Sequence, residues 1–214
     1  MLPDLRFALK GIHRGNLASV NPIRPIAHGS VSLRLVGRRD YWRLQHLLTL
    51  DRDWLEPWEA TTPGLRTIVN AGWMISSLKS QARKGTGLGF VILKNGEVVG
   101  QLNVASIQHG SVSSATIGYW IAKSAAGQNI TPTAVALAID YLIDDLGLHR
   151  VEIDIRPENA ASLRVVEKLG LRLEGIKERF IHIDGAWRDH KVFAITAEEK
   201  KGSLVDRLAN TRSE

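Results

Sequence analysis

The chain has 214 residues, and its 28 lysines and arginines outnumber its 22 acidic residues to give a formal net charge of +6. It contains no cysteine, which excludes disulfides and thiolate metal ligands. Hydrophobic residues make up 44% of the chain, an ordinary share for a globular protein. No signal peptide is evident, and no apolar run approaches the about 20 residues that span a bilayer. We therefore expect a cytoplasmic protein without membrane contact.

The basic charge allows two interpretations. It is either a basic surface without a specific role or a sign of a polyanionic ligand, such as a nucleotide cofactor or a nucleic acid. The basic residues are scattered along the chain, and no aromatic-rich basic motif accompanies them. We therefore expect no direct nucleic-acid binding.

The N-terminal region predicts an arm, a strand and a helix. Residues 1–29 are rich in proline and show little periodicity, so we interpret them as an arm with a short edge segment at 23–27. A strand is predicted over residues 31–35. A helix follows at 41–50, with Asp40 as its N-cap.

A second helix is predicted to begin at Pro63 or Gly64 and to end near residue 83. Its expected buried stripe has helical spacing and consists of Leu65, Ile68, Gly72, Ile75, Leu78 and Ala82. The turn at Asn95-Gly96 is a strong hairpin signal and should join strands at 89–93 and 98–107. A third antiparallel strand is expected at 113–122.

In the C-terminal part of the chain, the sequence predicts two more helices and two strands, in addition to the segment at residues 149–170 that is described next. A helix is expected over residues 132–146, capped by Thr131 or Thr133. Strands at 171–183 and 186–196 should turn at Asp184-Gly185, and a polar helix should follow at 198–208.

Residues 149–170 pass from a strand directly into a helix. Valine and isoleucine alternate with charged residues up to Pro157, which cannot extend a strand ladder. The following helix has one apolar face and ends at Gly170. Asn159 and Ser162 lie over the break, and we predict that they grip a ligand.

A second strand-to-helix loop spans residues 125–132. Backbone N–H groups and the positive end of a helix dipole make such loops suitable for binding phosphate. Small residues before a helix more often form only a turn. Phosphate binding by this loop is favoured only because the chain has a second strand-to-helix break, at Asn159.

The loop at residues 51–64 is rich in tryptophan and acids. Trp54 and Trp58 either cover the core or wall an acceptor pocket, where Glu56 and Glu59 would attract an amine. The ordinary alternative for the glutamates is exposed surface charge.

At this point the chain resembles a family. The segment IGYWIAKSAAG, the loop and helix after it, the stretch HRVEIDIRPENAASLRVVEKLG and the tetrapeptide WRDH together resemble a GNAT N-acetyltransferase of the RimJ/RimL ribosomal-protein type. The resemblance covers roughly residues 31–199. It implies an α/β (α+β) fold with a mixed, mostly antiparallel sheet of about seven strands, splayed at the cofactor site, and about four to five helices. We expect an arm at 1–29, the acetyltransferase domain at 30–199, and a helix end with a tail at 200–214.

The resemblance also implies a cofactor site for acetyl-CoA. The backbone of Ile121 and Ala122 should pair with the pantetheine arm. Asn159 should hydrogen-bond the amide arm, and Ser162 should donate to the departing thiolate. The pyrophosphate should be cradled by Gly127, Gln128, Asn129, Ile130, Thr131 and Pro132.

Two departures from the family pattern stand out. The phosphate loop has Ala126, Asn129 and Thr131 where the family has its signature residues, although Asn129 tolerates a positive φ. Thr116 and Ile181 occupy positions where relatives often carry an acid. A water molecule held by Glu56, Glu59 or Glu97 could then act as the base.

On the acceptor side, Trp54, Trp58 and Tyr119 are expected to line the pocket, although sheet packing is the simpler role for Tyr119. Residues 187–190, WRDH, are as well explained by a structural tryptophan and a solvated charged face as by a role at the acceptor rim. The histidines show no metal-ligand spacing, so no metal is predicted.

The predicted reaction is direct attack of an amine on acetyl-CoA in a ternary complex. An α-amine has a pKa near 7.7–8.0 against about 10.4 for lysine, so it needs less help from a base. This mildly favours an α-amine over a lysine acceptor, and the resemblance implies the N-terminus of a peptide or ribosomal protein. The alternatives are a GNAT for a small amine, such as an antibiotic or polyamine, and a non-catalytic GNAT that binds protein or ribosome. A homodimer is possible.

Overall fold

The computed structural model describes residues 26–65 and 68–210, so most of the predicted arm lies outside the described residues. The eight strands are β1 (Ile26–His28), β2 (Val31–Leu35), β3 (Leu88–Lys94), β4 (Glu97–Gln108), β5 (Ser114–Ile121), β6 (Arg150–Ile155), β7 (Arg172–Ile183) and β8 (Ala186–Thr196). The α-helices are α1 (Tyr41–Leu50), α2 (Arg52–Leu55), α3 (Ala71–Lys84), α4 (Ile130–Asp140), α5 (Ala160–Leu169) and α6 (Leu204–Asn210).

The strands form one mixed sheet in the order β1-β2-β3-β4-β5-β6-β8-β7. Every neighbouring pair is antiparallel except β5 and β6, which run parallel. The predicted turn at Asn95-Gly96 is confirmed, with φ of 50° and 83°. These positive values give the turn the twist that a two-residue hairpin needs. The predicted mixed, mostly antiparallel architecture is therefore confirmed.

Helices cover both faces of the sheet. Phe90 of β3 contacts the ring of Tyr141, which follows α4, with ring centroids 6.2 Å apart. We call this face, which also carries Leu102 and α5, the α4 face. The neighbouring Gly89 points the other way, toward α3, where a Cβ would lie 2.8 Å from Leu78. We call that side the α3 face, and the close approach of α3 explains why glycine stands there.

The predicted start of the second long helix is wrong. Helix α3 begins at Ala71, because the side chain of Asn70 accepts the Trp73 N–H at 2.9 Å and caps it. Leu65 and Ile68 lie before the helix and are 70% and 65% exposed. The inward positions within the helix, Ile75 and Leu78, are buried as predicted.

One predicted N-cap is confirmed in position and the other is wrong. Asp40 is the N-cap residue of α1, but its side chain makes no cap bond, because the carboxylate binds the Arg34 guanidinium at 2.7 and 3.0 Å and the Gly37 N–H at 2.8 Å. Helix α4 begins at Ile130 with Asn129 as its cap residue, so neither predicted threonine holds that position. The hydroxyl of Thr133 donates back to the Asn129 carbonyl at 2.9 Å.

The last helix begins later than predicted, at Leu204. Its start is set by Asp140 at the end of α4, whose carboxylate accepts the N–H groups of Leu204 and Val205 at 2.9 and 3.2 Å. The predicted loop at 51–64 contains helix α2 and a 3-10 turn at Glu56–Trp58. Among the described residues, no helix is both long and apolar enough to cross a bilayer.

Candidate active site

The sheet opens between its two parallel strands. Strands β5 and β6 pair only through Ser114–Thr116 and Arg150–Glu152, and they diverge beyond those residues. A cavity of about 190 Å³ lies in the opening. It is lined by Trp58, Ala60, Ile117, Gly118, Tyr119, Ile153, Asp154, Ile155, Arg156, Asn159, Ser162, Ile181, Ile183 and His190. The splay that the resemblance implied is therefore present, and it brings Trp58, Tyr119, Asn159 and Ser162 together.

The backbone of β5 presents hydrogen-bonding groups to this cleft. The Ala122 N–H donates to Val99 on β4 at 2.8 Å, and the Ala122 carbonyl accepts from Ala125 at 2.9 Å. Because such groups alternate along a strand, those of Tyr119 and Ile121 face the opening. The prediction for Ala122 is corrected here, since both of its backbone groups are already used. The Ile121 carbonyl accepts the Trp54 indole N–H at 3.1 Å.

Asn159 has a structural role beside its predicted one. Its Oδ1 accepts the Ser162 N–H at 3.0 Å and so caps α5, while no described residue binds its NH2 group. This arrangement leaves the amide as a donor at the edge of the cavity. Ser162, one turn into α5, lines the same cavity.

The Tyr119 hydroxyl is buried and has no hydrogen-bond partner among the described residues. Burial raises the pKa of Tyr119 to about 12, and the nearby Ser162 side chain offsets this rise only in part. The phenol therefore stays protonated at neutral pH and can donate a hydrogen bond. Tyr119 was predicted on the acceptor side, but it lies beside Ser162.

The predicted phosphate loop has a positive φ at two positions. Gly127 and Asn129 have φ of 74° and 58°, which confirms that asparagine can hold the positive φ here. The Nζ of Lys168 donates to the Asn129 side chain at 2.5 Å, and Lys94 donates to the side chain of Gln128. Two ammonium groups thus lie beside the N-terminus of α4, where the first helical N–H groups have no partner within the helix.

Strand register assigns the other cavity residues to one face of the sheet or the other. Tyr119 pairs with Leu102, which places it on the α4 face, and Ile117 and Ile153 share that face. Asp154 pairs with Val192, and the alternation places both Asp154 and His190 on the α3 face. The opening therefore connects the two faces.

Trp58 covers the α3 side of the opening. The Arg156 guanidinium lies 5.4 Å from its ring centroid and donates to the Pro57 carbonyl at 2.7 Å. These contacts hold the turn after α2 against the end of β6. Trp54 was predicted to line the same pocket, but it anchors α2 to β5 and does not line this cavity.

The predicted acidic groups do not reach the opening. Glu56 lines a second cavity of about 430 Å³ beside the β7–β8 turn, and Glu59 forms an ion pair with Arg52 at 2.5 Å. Glu97 lies at the exposed β3–β4 turn and lines neither cavity. The positions of these glutamates do not support the predicted water-mediated base.

Two titratable groups at the opening were missed as site residues. Burial raises the pKa of Asp154, although Lys177, with Nζ 3.1 and 3.2 Å from the two carboxylate oxygens, lowers it in part. His190 is 4% exposed, so of the two alternatives left open for WRDH, the solvated face does not hold for this residue. The alternation in β6 and the WRDH motif were the available signals, but neither revealed that these strands pair beside the splay.

Comparison with known proteins agrees with this geometry. The model of the acetyltransferase (GNAT) domain family matches residues 31–172. The solved structure of Mycobacterium smegmatis RimJ in complex with CoA-disulfide is 40% identical, with a TM-score of 0.82 over 90% of this chain and 93% of that one.

Two curated relatives are similar as well. The [ribosomal protein uS5]-alanine N-acetyltransferase of Escherichia coli (strain K12) is 28% identical over 171 residues, 78% of this chain and 88% of the relative. The probable N-acetyltransferase YjcK of Bacillus subtilis (strain 168) is 37% identical over 107 residues, 50% of this chain and 59% of the relative's length. The chain belongs to the GNAT acetyltransferase family and is an N-acetyltransferase of the RimJ/RimL type.

Proposed function

We propose that this enzyme transfers the acetyl group of acetyl-CoA to the N-terminal α-amine of a protein, by direct attack within a ternary complex. The observation that carries the proposal is the opening between β5 and β6, which is lined from both faces of the sheet. Two substrates can meet in such an opening without displacing each other. A ribosomal protein is the proposed acceptor, because the E. coli relative is named for ribosomal protein uS5.

The residues at the opening fit a CoA thioester on the α4 face. Backbone groups of Tyr119 and Ile121 face the cleft, and the Asn159 amide offers a donor at its edge. The loop before α4 supplies helix N–H groups for the phosphates, and Lys94 of β3 and Lys168 of α5 lie beside it. Its turn is open outward, since a Cβ at Gly127 would meet nothing within 4 Å. The RimJ relative was solved with a CoA-disulfide, which supports the same assignment.

Acetyl-CoA supplies an acetyl group activated as a thioester. The chain's own contribution is to place the two reactants and to polarise the bond that breaks. Ser162 and the protonated Tyr119 hydroxyl are the groups that can donate hydrogen bonds to the departing sulfur. The α3 side, with Trp58 over Arg156, receives the amine.

Calorimetric titration with acetyl-CoA tests the first half of the proposal, and we expect binding at sub-millimolar concentration. Turnover can be followed with a thiol reagent, because the protein has no cysteine and only released CoA would react. No heat and no thiol release with any acceptor would overturn the proposal.

The acceptor is tested with matched substrates. A decapeptide with the alanine N-terminus of ribosomal protein uS5 should be acetylated. The same peptide with a blocked N-terminus and an internal lysine should not. Faster acetylation of spermidine than of the free peptide would instead favour the small-amine alternative.

A further inference from the structure

We infer that His190 is the general base that takes the proton from the acceptor amine. This inference rests on the proposed function, because it assigns a role within that reaction. It also answers a question that the sequence left open, since neither Thr116 nor Ile181 is an acid and no glutamate named from the sequence lines the opening.

The hydrogen bond made by His190 determines which of its nitrogens is available. Nδ1 lies 3.0 Å from the Arg188 carbonyl oxygen, which can only accept a hydrogen bond. In the neutral ring the proton is therefore on Nδ1, and Nε2 carries the lone pair. No described residue binds Nε2. The ring thus offers its basic nitrogen to the cavity that it lines.

The position of His190 matches the side from which an amine must come. The register places it on the α3 face, with Trp58 and Arg156, while Tyr119 and Ser162 serve the opposite side. A base is useful only on the amine side, and a donor to the sulfur only on the thioester side. The base, His190, and the hydrogen-bond donors, Tyr119 and Ser162, therefore lie on opposite sides of the opening.

The charged groups around His190 include another residue that could act as the base. Asp154 faces His190 from β6, Arg156 follows directly after that strand, Lys177 lies opposite it on β7, and Arg188 belongs to its own strand. Asp154 is the rival base, but both of its oxygens are engaged by Lys177. Asp154 lies on the strand that pairs with the strand of His190, so the positive charge that His190 gains in the step faces this carboxyl group.

The step balances without any further reactant. The acceptor ammonium gives one proton to Nε2 of His190, and the neutral amine nitrogen then attacks the thioester carbon. A C–N bond forms and the C–S bond breaks, with its electron pair leaving on sulfur. The amide nitrogen loses its second proton and the thiolate gains one, so the products are the acetylated amine and the CoA thiol, with one proton released to solvent.

The test compares the pH dependence of kcat in the wild type and in His190→Gln, with acetyl-CoA and the uS5 alanine peptide. At pH 7 we expect kcat to fall at least about 100-fold, the usual contribution of a general base. The deficit should narrow above pH 9, where the α-amine has already lost its proton to water. Affinity for acetyl-CoA should be unchanged. A deficit of the same size at every pH would mean a structural role and would overturn the assignment.

Three further variants help to interpret the result. Added imidazole should restore part of the activity of His190→Ala, and His149→Gln, an exposed histidine that binds Glu198, should behave as wild type. If the His190 variants fail to fold, Asp154→Asn decides the question. Activity should persist in this variant, whereas complete loss would make Asp154 the base.

The proposed function and this inference can fail separately. A wild-type enzyme that acetylates no peptide refutes the function. A wild type that acetylates the peptide, with His190→Gln within threefold of it at pH 7, refutes only the role of His190.

Discussion

The two sides of the opening are built in different ways. On the α4 side, most contacts come from strand backbone, helix N-termini and the strand-to-helix break at Asn159, with the hydroxyl groups of Tyr119 and Ser162 beside them. On the α3 side, the contacts are side chains from three distant segments, namely Trp58, Asp154 with Arg156, and His190. Backbone geometry tolerates many sequences, whereas converging side chains depend on identity. We call the α4 side, where acetyl-CoA is proposed to bind, the donor side, and the α3 side, where the amine is proposed to bind, the acceptor side. The difference between them suggests that the donor side can keep its shape while the acceptor side changes to bind a new substrate.

Among the changes on the donor side, removing the Tyr119 hydroxyl should lower kcat the most. In Tyr119→Phe we expect kcat to fall about 10- to 100-fold, through loss of a hydrogen bond to a developing negative charge. Stability should hold or rise by up to about 1–3 kcal/mol, because the hydroxyl is buried without a partner. Steady-state kinetics and thermal unfolding measure the two effects.

Tyr141→Phe is the matched control. The Tyr141 hydroxyl is also buried and unpartnered in the described structure, but it lies against Phe90, away from the opening. Its removal should affect stability in the same direction and leave kcat unchanged. Equal loss of activity in both variants would contradict a role for the Tyr119 hydroxyl.

Asn159 allows its two functions to be separated. Asn159→Asp keeps an oxygen to cap α5 and removes the NH2 donor, so affinity for acetyl-CoA should fall about 10-fold with little change in stability. Asn159→Ala should lose affinity and also about 1 kcal/mol of stability, the cost of a lost cap. Calorimetry and denaturant unfolding distinguish these outcomes, and unchanged affinity in both variants would remove Asn159 from the site.

Trp58 should matter only for the acceptor side. In Trp58→Ala the acceptor KM should rise about 5-fold, from loss of the ring and of its contact with Arg156, while the Kd for acetyl-CoA stays constant. Trp42→Ala is the control, since that tryptophan on α1 is 79% exposed and does not line the opening. A change in acetyl-CoA affinity would show that the two sides are not independent.

Asp40→Asn should affect neither side of the opening. We expect it to lower the free energy of unfolding without changing kcat. Burial alone would raise the pKa of Asp40, but Arg34 and the Gly37 N–H outweigh burial and lower it. The folded-state pKa is thus below the unfolded value, so the carboxylate stabilises the fold at neutral pH and this contribution disappears as pH falls below about 4. The variant should lose about 1–3 kcal/mol at pH 7, less at pH 3, with kcat unchanged. Denaturant unfolding at both pH values checks this.

The strand-to-helix break on the α4 side could be predicted from sequence because its signals are local. Pro157, Asn159 and Gly170 mark a strand end, a helix cap and a helix end within one short segment. His190 could not be predicted as buried, because its burial depends on the pairing of β8 with both β6 and β7. The late start of α3 could not be predicted for another reason. The apolar spacing that is typical of a helix continues back through Leu65 and Ile68, and only the cap at Asn70 shows where the helix begins.

The two lysines beside the phosphate loop have a practical consequence. Among the described residues, Lys94 and Lys168 have only neutral amide oxygens as partners, those of Gln128 and Asn129. Small multivalent anions such as sulfate or citrate should therefore collect at this loop and compete with the coenzyme. Apparent affinity for acetyl-CoA should then depend on which buffer salt is chosen, and chloride should interfere less than sulfate at equal ionic strength.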